Sequence, residues 1–576
     1  MNNIPRPEHP NPQWERANWT NLNGTWEFDF DFGRTARDRK LYESTEKLSK
    51  EIIVPFCPES KLSGIEYVDF IPAVCYRRSF EVSEADLNGR VVLHFGAVDY
   101  QTYVYINGVL AGTHTGGYTS FEFDITSLVK VGENTLFVHA EDDCRKGIPS
   151  GKQSKLYYSH ACDYTRTTGI WQTVWLEKTP KAYIKKAKYY PDIETNSLTV
   201  IGEVVGNGVL EIKSSFEDRP TGSVKFNAYG GAFTAHIALT ETHLWDLGCG
   251  NLYDLELTFG EDTVKSYFGL RNVRLEGMKF MLNNRSVFQR TVLDQGFYPD
   301  GIYTAPTEAD LINDIVISMG LGFNGARLHE KVFEARFLYH CDKMGYMVWG
   351  EYPNWGFDHT ALNATEVYLR EWSEAMARDF NHPAIIGWCP FNETFCYLER
   401  KEKTFLMSTI YDYNKTVDPT RVVIDTSGYL HVKTDVYDLH DYEQDPEIFK
   451  SHYDMLVTEG KLYDYMNDNK IERGLDNQTY EGQPVFMSEY GGIRWNPNDD
   501  RGWGYGQAPT TEEEFLNRYK GLADALLDNP KIMGLCYTQL YDIEQEVNGL
   551  YTYDRKPKFD PEILKAFLTR KAAIED

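Results

Sequence analysis

The chain has no run approaching the roughly 20 apolar residues that span a bilayer as a helix. Its first residues, MNNIPRPEHPNPQWERANW, have no apolar core of the kind a secretory leader carries. Both lacks predict a protein that works in water, with the cytoplasm as its expected location. Positive charge is also short: 59 Lys and Arg stand against 86 Asp and Glu, a formal net charge of -27. Polyanion binders concentrate basic charge, so nucleic acid and anionic membranes are excluded as expected partners. Cysteine is sparse, with nine residues scattered from Cys57 to Cys536, and there is no C-x-x-C pair. An odd, dispersed set of this kind reads as reduced core residues rather than a disulfide framework. Internal repeats and low-complexity segments are absent too.

What the chain has is length and aromatic rings. Its 576 residues exceed what one hydrophobic core can serve, which predicts three or four units. Aromatics make up 14% of it, with 39 Tyr and 12 Trp, enough for thick cores and for stacking against flat ligands such as sugar rings. From Asn23 to about Lys178, short runs such as GTWEFDFDF, RVVLHFGAV and QTYVYINGVLAG alternate with a period of two. The turn signals Asn107-Gly108 and Thr115-Gly116-Gly117 break them, so the segment reads as an all-β sandwich with minimal helix. A second β segment, from Ala182 to Glu276, has the size and short regular strands of an immunoglobulin-like sandwich.

Beyond Met278 strand-like runs alternate with amphipathic helical stretches. The strand candidates are FMLNNRSVFQRTV, GFNGARLH, YMVWGE, IIGWCPFNE, RVVIDTSG, DVYDLHDY, PVFMSEYGG and IMGLCYTQL. Eight strand-helix units in roughly 300 residues describe a (β/α)8 barrel, whose chemistry gathers at the C-terminal ends of its strands. The acidic stretch from Asn496 to Asp500 reads as a loop. The expected boundaries are therefore 1–180, 181–276 and 277–576.

The strand ends carry Arg327 and His329 (second strand), Glu351 (third), Asn392 and Glu393 (fourth) and Asp425 (fifth). They continue with His440 and Tyr442 (sixth), Glu489 (seventh) and Gln539 (eighth). For any one of these a polar end-cap is the plainer reading. Glu393 and Glu489 stand out because each closes a short apolar run of the kind buried in a parallel sheet. Two carboxylates delivered from different strands to one pocket are what cleavage of a glycosidic bond requires.

LNGTWEF near Leu22, GIWQTVWLE from Gly169, HPAIIGWCPFNE from His382 and SEYGG from Ser488 resemble the corresponding stretches of glycoside hydrolase family 2. That family contains β-galactosidases and β-glucuronidases. The resemblance covers nearly the whole chain and implies a multidomain fold: a sugar-binding-type jelly-roll β-sandwich, an immunoglobulin-like β-sandwich and a catalytic (β/α)8 TIM barrel. It implies that Glu393 is the acid/base and Glu489 the nucleophile of a retaining exo-β-glycosidase, with no cofactor and no metal. Retention requires the two carboxyl groups to lie about 5 to 5.5 Å apart.

Arg327, by its strand position, is the natural neighbour to keep Glu489 charged, with a structural ion pair within the barrel as the alternative. Asn392 can hydrogen-bond the 2-hydroxyl of the sugar, with a strand-end turn cap as the alternative. His440 and Tyr442 both stand where relatives place a tyrosine against the nucleophile, and the choice between them stays open. Trp388 and Tyr537 are candidates to stack on the glycone, although buried packing is the plainer reading of Trp388, and Asp163 in HACDYTRTTGIW resembles an aspartate that reaches the sugar from the first domain. Relatives often form dimers or tetramers, so a homo-oligomer is compatible with the resemblance.

The chain departs from the family in two places. Leu328, His329 and Glu330 replace the usual residues after the second-strand arginine, which leaves the role of His329 open. Glu546 and Asn548 stand where β-glucuronidases carry the Asn-x-Lys pair that holds a substrate carboxylate. Burying an unpaired carboxylate is costly, so a neutral, galactose-like glycone is the first expectation. Galactofuranoside, arabinoside, glucoside and uronide substrates are alternatives, and the rival classes are a noncatalytic carbohydrate-binding protein and a metal-dependent hydrolase built around His440 and Asp441.

Overall fold

The computed structural model describes residues 4–394, 401–464, 478–497 and 501–575, without the side chains of 401–403. Residues 498–500 of the expected acidic loop lie outside these. Period-two alternation in the first segment becomes two facing antiparallel sheets, one of six strands and one of four. Trp26, Phe28, Val74, Leu93, Val104 and Val138 point inward from them and are at most 1% exposed. Helix among the described residues of this sandwich is limited to single turns such as Leu41–Glu43 and Lys61–Ser63. Asn107 and Gly108, with φ of 50° and 81°, close the hairpin between Gln101–Ile106 and Val109–Thr115.

The second segment has fewer and longer strands than its sequence predicts. SLTVIGEVVG and GVLEIKSSF, expected as two strands, form the single strand Ser197–Phe216. A register shift between Val204 and Asn207, at Gly206 with φ of 90°, bends the chain without ending it. The first half of this strand pairs with Tyr183–Asp192 and the second with Tyr253–Phe259. One bent sheet thus folds over a core that includes Ile184, Val200, Ile212 and Leu257.

Eight parallel strands form the third part: β1 Gln289–Asp294, β2 Gly325–Leu328, β3 Met347–Glu351, β4 Ile385–Cys389, β5 Val422–Val423, β6 Tyr437–Asp441, β7 Val485–Tyr490 and β8 Ile532–Tyr537. They are hydrogen-bonded in the order β5-β4-β3-β2-β1-β8-β7-β6, with helices such as Glu308–Gly320 and Glu512–Leu527 outside. Two runs differ from expectation. FMLNNRSVFQRTV breaks at Asn283-Asn284, whose φ values of 51° and 63° make a tight turn in a small antiparallel sheet, and only its end enters β1. RVVIDTSG keeps just two residues in β5, because the buried Asp425 carboxylate accepts the backbone N–H of Thr426, Val432 and Lys433 and curls the chain into a loop.

The sandwich is seated on the barrel through shared core. Tyr118, Tyr164 and Trp171 belong to the same apolar cluster as the barrel residues Tyr303 and Phe297. Its loop around Lys152 crosses the C-terminal ends of the barrel strands: the N–H groups of Ser150 and Gly151 both donate to the Trp355 carbonyl at 3.0 Å.

Candidate active site

β4 ends at Cys389, and after Pro390 the residues Phe391–Asn392 pair with Thr426–Ser427. Glu393 follows with φ of 45°, a conformation non-glycine residues seldom adopt, held by its N–H donating to the Ser427 carbonyl at 2.9 Å. Glu489 is the penultimate residue of β7 and is 4% exposed. An oxygen of Glu393, a ring nitrogen of His440 and an oxygen of Glu489 all lie within 4.8 Å of one another.

The surroundings of Glu489 are cationic or hydrogen-bond donating. Arg327 Nη1 donates to its Oε1 at 3.1 Å, His440 Nε2 faces the same oxygen at 3.4 Å, and the Tyr442 hydroxyl donates to Oε2. Burial works to raise the pKa of this carboxyl, but His440 and Arg327 outweigh it and hold the group down at about 2. Glu393 has a different partner, with His440 Nδ1 at 2.8 Å from its Oε1. The choice left open between His440 and Tyr442 thus resolves as a division of labour: Tyr442 takes one oxygen of Glu489, and His440 sits between the two glutamates.

Arg327 also ties the third and fourth strands to this centre. Its Nε donates to Glu351 Oε1 at 2.6 Å and its Nη2 to Asn392 Oδ1 at 3.1 Å. The amide nitrogen of Asn392 is buried and has no hydrogen-bond partner among the described residues. Glu351 spends its other oxygen on His329 Nδ1 at 3.2 Å. Burial drives His329 far below the ordinary imidazole pKa, so its ring is neutral and Nδ1–H is the donor.

Two expected residues are elsewhere. Trp388 packs edge-on against Trp372, with ring centroids 5.7 Å apart, and its indole N–H donates to Asp418. It lies between the barrel and the outer helices, not in the pocket. Tyr537 is fully buried behind β7, its hydroxyl accepting the Ile493 N–H and its ring packed on Tyr519. Asp163 lies in a turn with His160, its carbonyl accepting from Gln545 Nε2 of the barrel at 3.0 Å, and burial raises its pKa.

The structure adds Tyr505, Tyr164 and Lys152, which the sequence did not single out, and sets them around Tyr442 and the pair Glu546 and Asn548. Tyr505 stacks on Tyr442, with centroids 3.4 Å apart and rings 5° from parallel. Tyr164 donates its hydroxyl to Glu546, which also accepts from Asn548 Nδ2 at 2.9 Å, and burial raises the Glu546 pKa. Lys152, from the sandwich, is close enough to Glu546, Glu489 and Glu393 for their charges to act on it. No spacing rule links these residues, since three separate parts of the chain bring them together.

A family model described as "Glycosyl hydrolases family 2, TIM barrel domain" matches residues 273–570. The chain belongs to glycoside hydrolase family 2. A second model, "Glycosyl hydrolases family 2, sugar binding domain", matches residues 19–180. The β-glucuronidase of Chlorocebus aethiops is 26% identical over 536 residues, covering 82% of this chain and 78% of that protein. A β-galactosidase of Thermoanaerobacter pseudethanolicus is 28% identical over 333 residues, covering 54% of this chain and 44% of its own length. Among solved structures, a β-glucuronidase of Lactobacillus rhamnosus superposes with a TM-score of 0.80 at 19% identity, covering 98% of this chain and 99% of that one. At that identity the superposition speaks to fold alone. As a family 2 member the chain is a glycosidase, and no helix among its described residues is long and apolar enough to cross a membrane.

Proposed function

We propose that this glycosidase is a retaining, exo-acting β-glycosidase in which Glu489 is the nucleophile and Glu393 the acid/base. The observation that carries the reading is the approach of the two carboxyl groups, one oxygen of each within 4.8 Å. That is the short spacing of direct attack by a carboxylate, and leaves no room for the intervening water an inverting enzyme needs. Glu489, held charged by Arg327 and Tyr442, attacks the anomeric carbon while Glu393 protonates the departing oxygen. Once Glu489 is esterified, Glu393 takes a proton from the water that releases the sugar. The unpartnered amide of Asn392 is free to donate to the 2-hydroxyl, a contact that strengthens as the oxocarbenium-like transition state forms.

A binding module would need neither this spacing nor Arg327 shared between Glu489 and Asn392, which supports catalysis over a lectin-like role. The sandwich loop at Lys152 is hydrogen-bonded to Trp355, just past the end of β3, which supports a site closed on that side and removal of single terminal sugars. The neutral glycone expected from Glu546 and Asn548 has weaker support than before, because relatives of this chain are mostly named β-glucuronidases.

Replacing Glu489 by Ala should abolish turnover of nitrophenyl glycosides, and azide should restore part of it as a glycosyl azide of inverted configuration. Full activity in that variant removes Glu489 from the mechanism. Glu393→Ala should slow substrates with poor leaving groups far more than activated ones, and equal losses on both argue against an acid/base role.

A further inference from the structure

We propose that Lys152 is a specificity-determining residue that receives a carboxylate carried by the glycone, so that β-hexuronides are the preferred substrates. The inference rests on reading the pocket as a glycosidase site, and it adds the substrate class.

Lys152 is 6% exposed, yet it has no ion pair within 4 Å and no hydrogen bond from its ammonium among the described residues. Its ammonium lies over the face of Trp355, 4.9 Å from the ring centroid. A desolvated ammonium without a direct partner is costly and is kept where a ligand supplies one. Glu546, Glu489 and Glu393 hold the group charged against the pull of burial without closing on it. The other strong cation of the site is fully spent, since Arg327 binds Glu351, Glu489, the Ser488 carbonyl and Asn392.

The backbone of Lys152 is fixed as a receptor should be. Its carbonyl accepts the Tyr164 N–H at 2.7 Å, and the preceding N–H groups of Ser150 and Gly151 are anchored on Trp355. Gln153 is locked by Asp99 and the Tyr118 hydroxyl. Position fits as well as charge. Lys152 neighbours Glu546, the position at which the sequence comparison lost its carboxylate-binding pair, so a cation from the sandwich supplies what the barrel loop does not. A carboxylate docked there forms a charge-assisted hydrogen bond in a low-dielectric site, whereas a neutral hydroxymethyl group offers only a weak acceptor.

The rival account is that Lys152 merely balances the three glutamates. It predicts equal losses for charged and neutral sugars when the ammonium is removed. Calorimetric binding of D-glucuronate and D-galacturonate, against D-glucose and D-galactose, separates the two accounts on the intact chain and on Lys152→Met and Lys152→Gln. The expected result is that the intact chain binds one of the uronates at least about 10-fold more tightly than its neutral counterpart. Each variant should lose about 10-fold or more for that uronate, with neutral-sugar affinity within about 3-fold, the size of a charge-assisted contact.

Equal binding of uronate and neutral hexose by the intact chain overturns the proposal without any variant. Equal losses for both sugars in folded variants overturn it in favour of the balancing role. Binding needs no turnover, so the two failures are distinguishable: Lys152-dependent uronate binding by a chain that hydrolyses no β-glycoside overturns the glycosidase reading and the substrate assignment with it, and leaves only the contact between Lys152 and the carboxylate.

Discussion

Tyr442 and His440 lie two residues apart at the end of β6, so their side chains leave the same face of the strand, and both reach Glu489. The hydroxyl of Tyr442 is fixed by the ring of Tyr505 beneath it and donates to the oxygen that Arg327 does not hold. Tyr442→Phe keeps the stack and removes only that donor. A hydrogen bond to a charged group is worth about 1.5 to 3 kcal/mol, so kcat/KM on an aryl glycoside should fall by roughly 10- to 100-fold. The melting temperature should hardly move. A loss below about 3-fold would show that the hydroxyl does not support Glu489 in its proposed role. Period-two facing explains why sequence alone could not choose between the two residues. Strands buried on both faces read as unbroken apolar runs in which inward and outward positions look alike, which is why Tyr537 reads as a pocket residue, while Trp388 takes the buried packing that is its plainer reading.

Elements place these residues, and the one that does most is not in the barrel. The Ser150–Ser154 loop brings Lys152 over the strand ends, and it can do so because Gly151 has φ of +58° and comes close to the barrel backbone. A Cβ at that position would lie 2.6 Å from the Glu330 carbonyl oxygen and 3.0 Å from Pro353 Cβ. Gly151→Ala therefore combines a left-handed conformation with a clash against backbone, a cost of about 1 to 3 kcal/mol. We expect a lowered apparent melting temperature together with a raised KM, measured by thermal unfolding and steady-state kinetics. A variant unchanged in both would mean that the loop is not seated on the barrel.

Nothing in GIPSGKQSK announces this role, because the contact joins residues about 200 positions apart in the chain. What sequence did reveal were local signals: the Asn107-Gly108 hairpin, the eightfold alternation of strand and helix, and the glutamates closing β4 and β7. It missed the Asn283-Asn284 turn, the bend at Gly206 and the curl imposed by Asp425. In each case a tertiary contact or a permissive backbone decided whether a strand continued.

At the scale of the molecule, the sandwich and the barrel are held by polar groups as well as shared core. Arg6, ahead of the sandwich, pairs with Glu334 of the barrel at 2.8 Å, while Arg16 ties the first sandwich to the second, binding Glu177 and Asp262 each at 2.8 Å. Glu371, on the barrel's outer helix Ala364–Asp379, is completely buried where the Tyr100 hydroxyl from the sandwich and the Tyr352 hydroxyl from the barrel both donate to it. Burial raises its pKa to about 7, only partly offset by the two tyrosines. The folded protein therefore keeps a proton on Glu371 at a pH where the unfolded chain, with an ordinary carboxyl near 4.5, has released it. Stability from this group is full below about pH 4.5 and is lost as pH rises through about 7, a decline of about 3 kcal/mol.

Lys331, buried at the same face with its pKa pushed down to about 7, titrates in the opposite sense, so the intact chain alone does not isolate the effect. Glu371→Gln does, because a neutral amide mimics the protonated acid and cannot ionise. The variant should melt several degrees above the parent at pH 8 to 9, and the gap should close towards pH 5. A gap independent of pH would mean that Glu371 ionises alike in the folded and unfolded chains, and that the junction between sandwich and barrel is not the pH-sensitive part of the fold.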